Sequence, residues 1–140
     1  MMIEEIHKLS VAELSHLIHS TELSPLTLVN SLLQRIDHYD SVLKAWVSID
    51  RDAVCNRARM FEADAVKGIF HGVLHGIPLG IKDIYYTKDM ETTAGSQILT
   101  GFRPHYDATS VQQLKTSGAI ILGKTETTEF ATFDPAPTRN

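Results

Sequence analysis

Lys82 is the residue whose neighbours in the sequence most strongly suggest a catalytic role. It follows the apolar segment 76–81, GIPLGI, in which two glycines leave room for close neighbours. Successive side chains of a strand point to opposite faces, so Lys82 and Asp83 are poor partners for each other. If Asp83 faces outward, Lys82 lies among apolar neighbours, where a desolvated lysine can act as a base. The alternative is an edge-strand lysine balanced by Asp83.

Other reactive residue types favour structural roles. Cys55 is the single cysteine and lies in a predicted helix, so we expect an unreactive thiol and no internal disulfide. Two histidine pairs stand out, His16 with His19 and His71 with His75. Neither pair has a cysteine, histidine or carboxylate at a spacing that would complete a metal site. We therefore expect no metal and no cofactor.

Residues 118–125, GAIILGKT, match the letters of a phosphate-binding loop. Such a loop lies between a strand and a following helix, and its four variable residues wrap around phosphate. Here those four residues are Ala-Ile-Ile-Leu, which favour a buried strand, and a predicted helix precedes them. The segment is therefore interpreted as a strand and not as a nucleotide site.

Composition narrows the class of protein. The chain has 140 residues, 43% hydrophobic and 21% charged, which is typical of one globular domain. A net charge of -4 favours neither nucleic acid nor an anionic membrane as a partner. The acidic start, Met1 to Glu5, lacks the pattern of a signal peptide, and the single cysteine suits a reducing compartment. These features favour a cytoplasmic protein.

Start signals predict three helices in residues 1–68. Ser10 and Glu13 have capping-box spacing, Ser24 precedes a proline suited to a first helical turn, and Asp50 can cap a third helix that ends near Gly68. The second helix is expected to end near Tyr39. A short strand is predicted between the second and third helices, over 45–49.

Residues 69–140 are expected to begin an α/β core. Strand and loop are predicted around Lys82, a loop over 92–104, and a helix capped by Asp107 that ends at Gly118. The apolar run 119–122 follows as a central buried strand. This order predicts an α/β fold: a mixed sheet with surrounding helices and an N-terminal helical segment.

Five segments, in this order and spacing, resemble the amidase signature family. They are 74–83 (LHGIPLGIKD), 92–96 (TTAGS), 107–111 (DATSV), 118–125 (GAIILGKT) and 129–131 (EFA). The helical region before Gly68 is also similar to the start of that family. The resemblance covers essentially the whole chain and implies the family's mixed sheet.

The resemblance implies amide hydrolysis by a serine, a second serine with a cis peptide bond, and a lysine. By this match Lys82 is the catalytic base, and a small amide is the substrate. The family's serines belong to a Gly-Ser-rich stretch, and the 140 residues contain no Gly-Gly-Ser-Ser run. Both the nucleophile and the bridging serine are therefore absent, and we expect a truncated, marginally stable chain that is inactive alone.

The resemblance also carries expectations about residues outside the lysine motif and about the sheet edge. Ser96 is interpreted as a structural hydroxyl of a supporting loop, and Lys124 and Thr125 as scaffold after the buried strand. An unpaired sheet edge would invite self-association. The segment 132–140 is closer to stand-alone amidases than to the amidase-like component of the glutamyl-tRNA amidotransferase complex, although amidotransferase activity and a non-catalytic binding role stay open.

Overall fold

The computed structural model describes residues 3–132 and 134–139, without the side chains of residues 3–5. Met1 and Met2 in the acidic start, and Phe133 and Asn140 in the C-terminal segment, lie outside the described residues. Within the described part, no helix is long and apolar enough to cross a membrane.

Three α-helices dominate the first half of the chain, and their beginnings follow the predicted signals. They are α1 (Val11–His19), α2 (Pro25–Leu43) and α3 (Arg51–Val66). Ser10 and Glu13 form the complete capping box of α1, in which each side chain accepts from the backbone amide of the other residue. Ser24 and Asp50 likewise accept from the first free amides of α2 and α3. A 3-10 helix, Ile3–Lys8, precedes α1.

Helix α2 ends one turn later than predicted. It continues past Tyr39 to Leu43 and ends at Lys44, which has a left-handed φ of 51° and donates its N–H to Asp40 O at 2.8 Å. The last turn carries exposed side chains, such as Val42 at 68% exposure. Apolar periodicity could not reveal it, because that periodicity marks only the turns that face the core.

The sheet has three strands in the order β1, β3, β2. They are β1 (Trp46–Ser48), β2 (Pro78–Lys82) and β3 (Ile120–Thr125). The predicted apolar strand is confirmed and is central. It runs antiparallel to β1 and parallel to β2, so the sheet is mixed, as expected.

Helix α4 (Thr109–Thr116) connects toward β3, but Asp107 does not cap it. The N-cap is Ala108, and no described side chain makes a capping hydrogen bond there. The prediction for Asp107 is wrong because its carboxylate has other partners. It accepts from the Lys88 amide at 2.9 Å and from Lys115 Nζ at 2.9 Å.

Two apolar clusters hold these elements together. The first joins α2, α3 and β3, and its buried members are Val29, Leu33, Val54, Ala58, Phe61, Ile120 and Leu122. The second joins the N-terminal helices to the segment that enters β2, and its buried members are Ile6, Leu14, Ile18, Leu23, Leu28 and Ile77. The helices therefore pack against the sheet and fix the direction of β2, at whose end Lys82 lies.

Candidate active site

Lys82 is the last residue of β2, and its side chain is exposed. It pairs in register with Thr125, the last residue of the parallel strand β3. The carboxyl ends of two parallel strands therefore meet at Lys82. In open α/β sheets, ligands bind outside the carboxyl ends of the strands.

Gly80, two residues before Lys82, allows close packing in β2. A Cβ atom at Gly80 would lie 2.8 Å from Thr125 Cγ2 and 2.9 Å from Trp46 Cη2. A side chain there would displace the indole ring, which joins β1 to β2 across the central strand. The inference that glycines leave room for close neighbours in this segment is therefore confirmed.

Asp83 faces inward, which corrects one expectation. Its exposure is 0%, whereas Lys82 is exposed. The two side chains do point to opposite sides, but the assignment of inside and outside is the reverse of the one that would desolvate Lys82. The reason is that Asp83 has buried partners: Thr93 donates to Asp83 Oδ2 from its amide at 3.0 Å and from its hydroxyl at 2.5 Å.

Lys124 is the buried lysine of this region, with 0% exposure. It lies within β3, not after it, and its Nζ is 3.2 Å from Asp83 Oδ1. It also donates to Tyr85 O at 2.8 Å and to Thr92 Oγ1 at 2.8 Å. Burial lowers the pKa of Lys124, and the Asp83 carboxylate offsets that effect in part. The strand predicted over 119–122 is present and continues to Thr125, so this segment is not a phosphate loop.

The loop 92–96 lies against the end of β2. The Ala94 amide donates to Asp83 O at 2.8 Å, and Phe130 N donates to Ala94 O at 2.8 Å. A Cβ atom at Gly95 would lie 2.8 Å from Thr127 O. Three loop segments (83–87, 92–96 and 126–131) therefore converge beside Lys82.

Backbone strain is concentrated in these loops. Among the described residues, five that are not glycine have positive φ, and three of them are Ala94 (50°), Phe130 (47°) and Ala131 (57°). Such conformations cost free energy in residues with a Cβ atom and are common at functional sites. The strain is held in place by the hydrogen bond between Phe130 and Ala94.

Ser96 makes a buried structural contact in this loop cluster. The residue is 4% exposed, and its hydroxyl donates to Glu129 Oε1 at 2.5 Å. It also accepts from the Ile98 amide at 3.4 Å. These contacts support the interpretation of Ser96 as a loop hydroxyl, because both of its hydrogen-bonding roles are taken by neighbouring chain segments.

A carboxyl group directly after β3 was not singled out by sequence reasoning. Burial raises the pKa of Glu126, and the negative charges of Asp83 and Asp40 raise it further. Its amide donates to Ala45 O at 2.9 Å, which continues the pairing of β3 with β1. No motif points to this residue, because its surroundings come from three distant segments.

His71 and His75 lie among aromatic side chains, stacked on each other and beside Phe61. His75 is completely buried, and its Nε2 lies 2.9 Å from Phe61 O, while its Nδ1 accepts from the His71 amide at 3.2 Å. His71 Nε2 lies 2.8 Å from Asp64 Oδ2. No group of three or more metal-ligating side chains gathers among the residues that the structure describes.

Comparison with known proteins places this arrangement in a family. A family model described as Amidase matches residues 27–137. The chain therefore belongs to the amidase family, which is the family that the motifs around Lys82 resemble. The match spans β1 to β3, the loops that converge beside Lys82, helices α3 and α4, and all of α2 except its first two residues.

Relatives of two kinds match over most of the chain. The chain is 41% identical over 128 residues to the amidase-family protein AmiD of Mycobacterium tuberculosis, covering 91% of this chain and 27% of AmiD. It is also 41% identical over 127 residues to one component of the glutamyl-tRNA(Gln) amidotransferase of Thermobifida fusca, covering 91% of this chain and 26% of that protein. The chain thus spans about a quarter of the length of these curated relatives.

Solved structures confirm the α/β fold with its mixed sheet. The native peptide amidase from Stenotrophomonas maltophilia superposes with a TM-score of 0.83 at 36% identity, covering 92% of this chain and 26% of that one. An amidase family protein from Bacillus anthracis gives a TM-score of 0.80 at 32% identity, with 91% and 26% coverage.

Proposed function

We propose that this chain supplies the catalytic lysine of an amide-hydrolysing enzyme, and that Lys82 is that lysine. The observation that carries the proposal is the position of Lys82. It is exposed at the carboxyl end of β2, in register with the end of a parallel strand, within the most specific motif of the family. Both serines of the mechanism come from outside these 140 residues.

The proposed reaction proceeds through an acyl-enzyme. In the mechanism that the family resemblance implies, Lys82 is the base: it takes a proton from the bridging serine, which takes the proton of the nucleophilic serine. The nucleophile attacks the amide carbonyl, the C–N bond breaks, and the amine leaves with the proton returned through the same path. Water then attacks the ester, which releases a carboxylic acid and restores the serine.

Ser96 does not replace the missing nucleophile. It is 4% exposed and bonded to Glu129, so its hydroxyl is not presented to a substrate beside Lys82. We therefore expect the 140-residue chain to show no amidase turnover by itself, because a base without its nucleophile has nothing to activate.

Hydrolysis and amide transfer share this chemistry until the acyl-enzyme stage. Relatives of both kinds match with 41% identity, so identity does not separate them. We favour the stand-alone hydrolase because of the sequence of the segment 132–140. A stand-alone hydrolase turns over a primary carboxamide with water alone and releases free ammonia. An amidotransferase instead passes the ammonia to the carboxyl group of an acceptor, so multiple turnover without any acceptor supports the hydrolase.

The test is a chimera in which this chain replaces the matched 128 residues of AmiD. Ammonia release from a primary carboxamide is measured for the chimera, for the 140-residue chain, and for the chimera with Lys82→Met. We expect turnover only in the unsubstituted chimera, with Lys82→Met lowering kcat by about 10³-fold or more. Equal turnover in the Lys82→Met chimera would reject the role of Lys82.

Lys88→Met is the matched control. Lys88 is also an exposed lysine, six residues further along the chain and outside β2. The same change of charge and length should leave kcat within about twofold. If Lys88→Met lowered kcat as much as Lys82→Met does, the loss would follow from removing a positive charge anywhere in this region. The result would then give no support to Lys82 as the base.

Self-association is a further proposal for the isolated chain. In the described part of the chain β2 is an edge strand, and exposed Ile84 and Tyr85 follow it. Unpaired edges recruit further strands. Sedimentation velocity at increasing concentration should show growth in mass, whereas a monomer at all concentrations would contradict this proposal.

A further inference from the structure

We propose that Asp83 is a positioning residue, which holds Lys82 at the carboxyl end of β2 through a buried clamp. The clamp consists of Asp83, Lys124 and the two threonines Thr92 and Thr93. This inference rests on the proposed role of Lys82 as the base. It assigns a task to a carboxylate that lies next to Lys82 in the chain but on the opposite side of the strand.

The main chain around Lys82 is fixed by hydrogen bonds on both sides. Asp83 N donates to Thr125 O at 2.9 Å, which extends the pairing of β2 with β3 past the end of the strand. Tyr85 N donates to Lys82 O at 3.0 Å. The Lys82 side chain is thus free to reach a partner while its backbone has a defined position.

The Asp83 carboxylate connects three segments of chain. Its Oδ2 accepts both the amide and the hydroxyl of Thr93, and its backbone carbonyl accepts from Ala94. Its Oδ1 is 3.2 Å from Lys124 Nζ and has no hydrogen bond of good geometry among the described residues. The ion pair of that oxygen with Lys124 ties β2 to β3 at the level of Lys82.

Lys124 closes the clamp from the central strand. Its ammonium reaches Tyr85 O and Thr92 Oγ1, both at 2.8 Å. The loop 92–95 is thereby attached to β3 through Lys124 and to the end of β2 through Asp83. A shift of this loop would pull directly on the residue that follows Lys82.

A gain in stability does not by itself explain why the ion pair of Asp83 and Lys124 is buried. Two charges with 0% exposure lose their hydration, and well-packed neutral residues often replace such pairs without loss of stability. Positional accuracy is a better reason, because a catalytic group that is misplaced by about 1 Å can lose roughly 10²-fold in rate. The clamp includes Asp83, the residue directly after Lys82, so it can set the position of the proposed base.

The test uses the AmiD chimera and compares Asp83→Ala with the double variant Asp83→Asn/Lys124→Met. Asparagine keeps an acceptor for the Thr93 amide, and methionine removes the charge that would otherwise lack a partner. With rates expressed per folded enzyme, Asp83→Ala should lower kcat by about 10²-fold with KM within about threefold. The double variant should recover kcat to within about tenfold of the unsubstituted chimera.

A purely structural role gives a different result. It predicts a lower melting temperature for Asp83→Ala with kcat per folded enzyme unchanged, and that outcome would overturn the proposal. If Asp83→Ala does not fold, Thr93→Val decides the matter, since it removes the hydroxyl bond and keeps the amide bond. An unchanged kcat in Thr93→Val together with an unrescued double variant would also overturn it.

Failure of the clamp and failure of the proposed function are separate outcomes. If Lys82→Met abolishes turnover and Asp83→Ala leaves kcat unchanged, only the positioning role is lost. If Lys82→Met leaves turnover unchanged, the proposed function is lost, and with it the residue that the clamp would position.

Discussion

Lys82 and Lys124 lie on adjacent parallel strands, yet one ammonium is exposed and the other is completely buried beside Asp83. Lys82 is paired with Thr125, the residue directly after Lys124, so the two lysines are neighbours across the sheet. The exposed Lys82 can reach a reacting group, whereas the buried Lys124 holds the neighbouring loops in place.

The first prediction compares methionine substitutions at these lysines in the AmiD chimera. Lys124→Met leaves the Asp83 carboxylate buried without its cation and should lower the free energy of unfolding by about 3–5 kcal/mol. Lys82→Met removes an exposed charge and should change it by less than about 0.5 kcal/mol. Urea unfolding followed by tryptophan fluorescence measures both, and equal effects would contradict the assigned burial.

The second prediction concerns two glycines with positive φ. At Gly118 (φ 89°) a Cβ atom would lie 2.7 Å from His75 Cα, whereas at Gly68 (φ 73°) nothing lies within 4 Å. Gly68→Ala should therefore cost only the backbone strain, about 1–2 kcal/mol. Gly118→Ala should cost roughly 1–3 kcal/mol more, because a backbone atom must move. Thermal unfolding of the two variants is the comparison, and similar melting temperatures would argue against this close approach.

The third prediction separates structure from catalysis at Ser96. Ser96→Ala removes the hydrogen bond to Glu129 and should cost about 1–2 kcal/mol of stability. In the AmiD chimera its kcat per folded enzyme should stay unchanged, since the hydroxyl is a loop contact. Ser110→Ala is the control, because Ser110 is exposed in α4 and its loss should change stability by less than about 0.5 kcal/mol. A catalytic loss of about several hundredfold in Ser96→Ala would make Ser96 a reactive group instead.

The fourth prediction is a dependence of stability on pH that arises from His75. Burial lowers the pKa of His75, and the nearby His71 and His19 lower it further, although the bond to Phe61 O raises it in part. The unfolded chain therefore binds more protons than the folded chain as pH falls below about 6.5, the ordinary pKa of histidine. Stability is fully present above that pH and is lost as pH falls through the lower folded-state pKa.

His75→Gln should flatten the dependence of unfolding free energy on pH between about 5 and 7. His16→Gln is the control, because His16 is exposed on α1 and should leave the dependence intact. The hydrogen bond from His71 lowers the pKa of Asp64, so Asp64 also destabilises the fold in acid, but only at lower pH. Identical profiles for the native chain and His75→Gln would show that the buried imidazole does not govern this range.

Some elements were predictable because the forces that define them act over a few residues. The cap of α1 depends on Ser10 and Glu13, three positions apart, and a serine or aspartate next to a helical pattern marks α2 and α3 in the same way. The central strand follows from four consecutive apolar residues. Asp107 was misassigned because a competing partner, Lys115, lies eight residues away.

The sequence by itself determined the family, the mixed α/β class, the beginnings of α1 to α3 and the prominence of Lys82, since each follows from local pattern or from motifs in register. Strand alternation also showed that Lys82 and Asp83 diverge. Only the tertiary structure decided which of them faces inward, because that depends on Thr93 and Lys124, which lie 10 and 41 positions from Asp83 along the chain. A register irregularity opposite Leu79 and Gly80 breaks the alternation of β3 and leaves three consecutive buried residues, ending with Lys124. Burial of that lysine is a property of the paired strands, and no single segment encodes it.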